Sequence, residues 1–438
     1  MIPVPAGAVK NTRNVAVLIN EDMVKDMSTD KPKKINTYRK QMTDSDRLTV
    51  PGFSVSAVSA GLKKGNALDM ALIYSKRDAV VAGAFTNNLI KAAPVIVSRE
   101  HISDNRARAI IVNSGNANAC TGEAGINDCR DTARMTANLL GVSPNDILVA
   151  STGVIGQPMD MKCVANAIPR LVSELSEEAI SLAARAIMTT DSFPKIACFE
   201  GRADGKRYRI TGIAKGAGMI MPDMATMLCF IVTDLSVNAD QLEEAVSGAV
   251  NDTFNRITVD GDTSTNDTVL VMANGMAGNS MLTGTEQEEF SCAIKEIMAT
   301  LARMIVKDGE GATKLVEIHL KGALSKSDAS RAARTIANSN LVKTAFYGRD
   351  PNWGRIMAAL GRSNVKIREQ DVDIFVDDVQ IVSGGMGCGT AAEIRAAERM
   401  SEDEFTLTVN LNQGVFQDRI LTCDLTHEYV TINADYRT

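Results

Sequence analysis

Thr226 stands at the doorstep of an apolar run, Met227 to Val232, in the stretch KGAGMIMPDMATMLCFIV, where one hydroxyl is set among small and sulfur-containing residues. If the Ala225–Thr226 bond is cut, the threonine becomes an N-terminal residue. Its α-amine, with an ordinary pKa of about 7.7–8.0, can then take the proton of the adjacent hydroxyl near neutral pH. Such a nucleophile needs no histidine, and the chain has only His101, His319 and His427. His319 sits in the alternating run LVEIHL, as an ordinary strand residue would. Neither H-E-x-x-H, nor a Cys/His ligand cluster, nor a G-x-S-x-G elbow occurs, so metal hydrolysis and serine hydrolase chemistry lack their parts. The glycine-rich pieces NSGNAN, AKGAGM and SGGMGCG match neither phosphate-binding fingerprint and read first as tight turns. A threonine that opens a buried strand is also a common structural feature, so both readings of Thr226 stand on these residues alone.

A nucleophile must be held by rigid elements. The run 227–232 reads as a strand that would anchor Thr226, and Gly216, Gly218 and Pro222 shape the loop before it. Upstream, 78–86 and 106–115 are β-rich, 124–140 has a helical composition, and the strand 146–150 delivers STGVIG at 151–156. Helices are expected at 160–174 and 177–189, the second with Ser176 as N-cap, followed by a half-buried strand at 207–216. Thr285 with Glu288 and Thr390 with Glu393 fit capping boxes that open helices at 286–306 and 391–400. β-runs follow at 371–382, 404–411, 415–426 and 428–433. The mixture predicts an α+β architecture rather than a doubly wound one.

The composition of this 438-residue chain, 45% hydrophobic and 23% charged, predicts a globular protein of two lobes. A net charge of −6 without single-sign blocks offers no footprint for nucleic acid or for a membrane surface. No apolar run has the length of a bilayer span, the N-terminus lacks a secretory pattern, and Asp22, Asp26 and Asp30 argue against an organellar transit peptide, so a cytoplasmic location is expected. The eight scattered cysteines read as reduced and mostly buried. Residues 1–48 read as a mobile extension without period.

AKGAGMIMPDMATML resembles the cleavage and nucleophile motif of the ornithine acetyltransferase family, the glutamate N-acetyltransferases of arginine biosynthesis. So do NSGNANACTG, STGVIG, IMTTDSFPK, DGDTSTND, VKDGEGATK, GRDPNWGRI and the terminal INADYRT, in family order and across nearly everything after residue 50. The resemblance implies a two-sheet sandwich between helical layers and an N-terminal-nucleophile enzyme that cleaves itself between Ala225 and Thr226. The products would be an α chain over 49–225 behind the extension and a β chain over 226–438, assembled as α2β2. Carried over by position, it implies Thr226 as nucleophile, Thr152 and Gly153 as the oxyanion pair, and Thr189 (or its neighbour Thr190), Lys215, Glu310, Asn433 and Thr438 as substrate contacts. The implied reaction is ping-pong transfer of acetyl from N2-acetylornithine to glutamate without a cofactor or metal; some members also accept acetyl-CoA as a substrate. The pattern departs at Asp223, where asparagine is expected, and at Ala217, where serine is common. Rival readings are a related self-processing aminopeptidase and a non-catalytic binding protein that keeps the fold.

Overall fold

The computed structural model describes residues 15–19 (as backbone), 48–221 and 227–435. Asp223, Ala225, Thr226 and Thr438 lie outside these residues. Nine strands form one continuous sheet: β1 (Val15–Ile19), β2 (Phe53–Val58), β3 (Met70–Phe85), β4 (Arg106–Asn116), β5 (Ile147–Val154), β6 (Lys195–Ala203), β7 (Lys206–Lys215), β8 (Leu228–Thr233) and β9 (Thr268–Ala273). Their order is β1-β6-β7-β8-β9-β3-β4-β5, with β2 added to β3.

The long strand β3 makes this one sheet into two layers. Its middle, Lys76 to Asp78, is exposed, and its register against β4 breaks between Tyr74 and Ala79. A break of this kind bends a strand and increases its twist. The first half therefore pairs with β2, from Val58–Met70 to Phe53–Ser75, while the second pairs with β9, from Val80–Ala273 to Phe85–Thr268.

Alternating side chains then fill three spaces. Ile196, Ile213, Phe230, Leu270 and Met272 of one layer meet Val55, Ile73, Ile110, Val112 and Leu148 of the other, with helix α4 (Ile180–Ala186) between them. Outside the second layer, Leu72, Ala109, Ile111, Ile147 and Val149 pack under α1 (Ala93–His101), α2 (Gly122–Leu140) and α3 (Met161–Ser173). Outside the first, Ile210, Cys229, Ile231 and Val271 meet the apolar stripes of α5 (Ala239–Asp252) and α6 (Thr285–Lys307). On α6, Phe290, Ile294, Ile297, Leu301 and Ile305 recur at helical spacing, each contributing about 1.5–3 kcal/mol of burial. This is the expected sandwich between helical layers.

The second lobe is a six-stranded sheet of β10 (Leu315–Ala323), β11 (Asp373–Val376), β12 (Val379–Ser383), β13 (Met386–Gly387), β14 (Glu404–Asn410) and β15 (Phe416–Cys423), in the order β13-β12-β11-β14-β10-β15. It shares one core with α7 (Lys326–Ala337), α8 (Asn340–Tyr347), α9 (Trp353–Gly361) and α10 (Thr390–Arg399).

Several local expectations change. The run 428–433 is not a strand but lies in α11 (His427–Asp435). Asp424 accepts hydrogen bonds from the Thr313 and Lys314 amides and Thr426 donates to Gly311 O, which turns the chain away from the β15 edge before its β-branched residues can pair. Ser176 does not cap a helix. Its backbone forms a bridge with Val55, and α4 starts only at Ile180. Neither capping box forms, because Gly284 and Gly389, at φ +45° and +87°, take the N-cap positions and move Thr285 and Thr390 inside their helices. The presumed extension supplies strand β1, parallel to β6. All eight cysteines are free, but Cys120, Cys292 and Cys388 are exposed, so burial holds for only part of the set.

Candidate active site

At the end of the first layer, Lys215 closes β7 opposite Leu228 of β8, and Leu228 pairs in turn with Thr268 of β9. Thr152 and Gly153 lie near the end of β5 in the other layer. The Asn266 side chain ties the layers together here by donating to Ala117 O at 2.6 Å and Ser151 O at 2.8 Å.

A cavity of about 210 Å³ opens at this junction. Of the residues expected at the site, Thr152, Gly153, Thr189, Thr190, Lys215, Glu310 and Asn433 all line it. They come from five separate segments of the chain. Thr226 and Thr438 lie outside the described residues, but Met227, the next residue after Thr226, is fixed beside the cavity wall: its amide donates to Asp267 Oδ1 at 3.0 Å and its carbonyl accepts from Thr268 N at 3.1 Å.

Lys215 is 5% exposed, and its ammonium makes no hydrogen bond or ion pair among the described residues. Burial lowers its pKa, while the nearby charges of Asp191, Asp267 and Glu310 favour the protonated form. A buried cation facing an open cavity is suited to a ligand carboxylate. On the wall contributed by the second half of the chain, Glu310 accepts from Asn433 Nδ2 at 2.7 Å, and its amide donates to Ala217 O. Gly218 lies beneath it, and a Cβ there, 2.4 Å from the Glu310 carboxyl carbon, would push that carboxylate aside. The Thr152 hydroxyl makes no hydrogen bond among the described residues, as suits a donor held for a ligand. Gly153 has φ +134°, and a Cβ there would come within 2.3 Å of the Gly115 carbonyl carbon, so only glycine lets β4 and β5 close here.

Beneath the cavity lies a charged cluster to which the sequence reading assigned no role. Lys195 is wholly buried, at 2.7 Å from Asp191 Oδ1 and 2.5 Å from Asp308 Oδ2. Asp191 also accepts from Gly216 N at 2.7 Å and Thr189 N at 2.9 Å, so it fixes the backbone on either side of the cavity floor. Burial alone would raise its pKa, but Lys195 and Lys215 outweigh that and hold it at about 2. Asp308, two residues before Glu310, takes both the amide and the hydroxyl of Ser192. Asp260 lines the cavity too; it accepts from the Met219 and Ile220 amides, and burial raises its pKa against those bonds. These residues sit within IMTTDSFPK, VKDGEGATK and DGDTSTND, so the motifs were legible while the buried pairings were not. Among the described residues no group of His, Cys, Asp and Glu has the geometry of a metal site, and no helix is long and apolar enough to cross a membrane.

Comparison with known proteins identifies the family of the chain. The chain is 50% identical over 393 residues to the arginine biosynthesis bifunctional protein ArgJ of Geobacter sulfurreducens, covering 89% of this chain and all of that protein. It is 46% identical over 390 residues to the glutamate N-acetyltransferase of Methanocaldococcus jannaschii, covering 86% of this chain and 96% of that protein. Among solved structures it is similar to the arginine biosynthesis bifunctional protein ArgJ of Bacillus halodurans, at 41% identity with TM-score 0.44, over 46% of this chain and 96% of that one. It is also similar to the ornithine acetyltransferase of Mycobacterium tuberculosis complexed with ornithine, at 34% identity with TM-score 0.36, over 40% of this chain and 94% of that one. The curated relatives make the chain an acyltransferase. More narrowly, the ArgJ family model matches residues 54–438, and the chain belongs to the ArgJ family of arginine biosynthesis.

Proposed function

We propose that this protein moves an acetyl group from N2-acetylornithine to glutamate through an acetyl ester on Thr226, after cutting itself between Ala225 and Thr226. The observation that carries this reading is the convergence of Thr152, Gly153, Thr189, Lys215, Glu310 and Asn433 on one cavity, beside the anchored Met227. Cleavage would give the α chain ending at Ala225 and the β chain beginning at Thr226, which we take to assemble as α2β2 in the cytoplasm. Thr438 would close the site from the chain end.

Both amino acids carry an α-carboxylate, which the Lys215 ammonium is placed to receive. The δ-ammonium of acetylornithine is matched by Glu310, held in place by Asn433. The Thr226 α-amine takes the hydroxyl proton as Oγ attacks the acetyl carbonyl. Thr152 and Gly153 stabilise the resulting oxyanion, and ornithine leaves with the proton. Glutamate then attacks the ester by the reverse path.

The testing experiment mixes purified enzyme with N2-acetylornithine alone, quenches it, and looks for one acetyl group on the peptide that begins at Thr226. Added glutamate should discharge it as N-acetylglutamate. Absence of the ester together with absence of transfer would reject the reading, and acetyl-CoA in place of acetylornithine decides whether the thioester is also a donor. Glu310→Gln is expected to raise KM for acetylornithine about ten- to hundredfold, since a charge-assisted hydrogen bond contributes roughly 1.5–3 kcal/mol, as steady-state kinetics would reveal. Thr152→Ala should instead act on kcat, by about 10²–10³, the usual effect of one removed oxyanion donor.

A further inference from the structure

The charges around the cavity are unequal. Among the described residues that line it, Lys215 is the one lysine or arginine, buried and without a hydrogen bond or ion pair, so an anion is expected there. Asp260, Asp262 and Glu310 line it as well, which sets three carboxylates against one ammonium. Two of the three are engaged. Asp260 Oδ1 accepts the amides of Ile220 at 2.8 Å and Asp262 at 3.3 Å, and its Oδ2 accepts the Met219 amide at 2.5 Å and the Tyr429 hydroxyl at 3.4 Å. Glu310 accepts from Asn433 Nδ2 at 2.7 Å. Asp262 differs from both: the residue is exposed at the cavity, and its carboxylate makes no hydrogen bond or ion pair among the described residues. Gly261, at φ +88°, makes the turn between the two aspartates.

This carboxylate holds no part of the fold, yet it acts on any charge that enters the cavity. We propose that Asp262 is a specificity residue that favours the acetyl donor over the acceptor by side-chain charge; the inference rests on the reaction proposed above. N2-acetylornithine brings an α-carboxylate for Lys215 and a δ-ammonium that Asp262 attracts together with Glu310. Glutamate brings an α-carboxylate for the same lysine and a γ-carboxylate that Asp262 repels. One exposed charge therefore pulls the two half-reactions in opposite directions. An uncharged side chain on the substrate would be indifferent to it.

Asp262→Asn keeps the size of the side chain and removes its charge. The expected result is a fall of about two- to fivefold in kcat/KM for N2-acetylornithine together with a rise of similar size for glutamate, the range of an exposed charge pair. In a ping-pong reaction each kcat/KM belongs to its own half-reaction, so the two are read separately. Both effects should shrink in high salt. N2-acetylnorvaline, which has the carbon chain of acetylornithine without its ammonium, should react equally with the native and variant enzymes. Changes in the same direction for both charged substrates, as lost packing would give, or no change in either, overturn the proposal. Should the asparagine variant not fold, Asp262→Ser also removes the charge and is read in the same way. A native enzyme that moves no acetyl group from acetylornithine would instead overturn the reaction itself, and this inference with it.

Discussion

Replacing Thr226 by alanine is expected to leave one uncut chain of 46.9 kDa and to lower kcat for acetyl transfer by on the order of 10⁶-fold, the loss seen when a catalytic nucleophile is removed. Position 226 would hold two functions at once. Its hydroxyl would break the bond before it and then carry the acetyl group, and after the cut its own amine would be the base. Serine at 226 separates them from mere shape, because it keeps a hydroxyl: intact mass should show two chains and the assay should show residual transfer. Unchanged activity in the uncut alanine variant would exclude the covalent route.

Lys195→Met should have the largest effect on stability, a loss of about 3–5 kcal/mol by urea unfolding, because it leaves Asp191 and Asp308 buried without the cation between them. The pH dependence contributed by Asp191 should change sign as well, whereas burial already raises the Asp308 pKa in the native chain. In the native chain the folded pKa of Asp191 is depressed to about 2, below the unfolded value near 3.9, so its contribution is present above the unfolded pKa and is lost as pH falls through the folded one. In the variant the two carboxylates repel each other, which raises their folded pKa values, so lowering the pH from neutral should recover stability. Activity should fall too, since Asp191 fixes the amides of Thr189 and Gly216 and Asp308 stands two residues from Glu310. Full activity and an unchanged slope of stability with pH would show the cluster to be inert.

Much of the architecture was legible because it is written at short range. The runs at 207–216 and 227–232 became β7 and β8, and the composition of 124–140 became α2; β7, expected to be half-buried, is covered on both faces from Ile210 to Lys215 because the second layer and α6 lie on its two sides. Where the local signal competed with packing, it lost. The β-branched run at 428–433 coils into α11 because Asp424 and Thr426 are bonded to the segment around Gly311, over the cavity rather than along the sheet edge. The glycine N-caps displaced two capping boxes because a positive φ just before a helix starts it one residue earlier than the threonine would.

By itself the sequence determined the α+β class, the family, and which residues to watch: Thr226 with no histidine to help it, and Thr152, Gly153, Lys215, Glu310 and Asn433 in collinear motifs. Tertiary structure alone decided that β3 bends to fold one sheet into two layers, that Lys195 is sealed between two aspartates, and that Asp267 is buried against the Met227 amide. The physical reason is range. Strand and helix periods follow from neighbours a few residues apart, whereas burial, and with it the state of a charged group, depends on what covers that group from segments a hundred or more residues away.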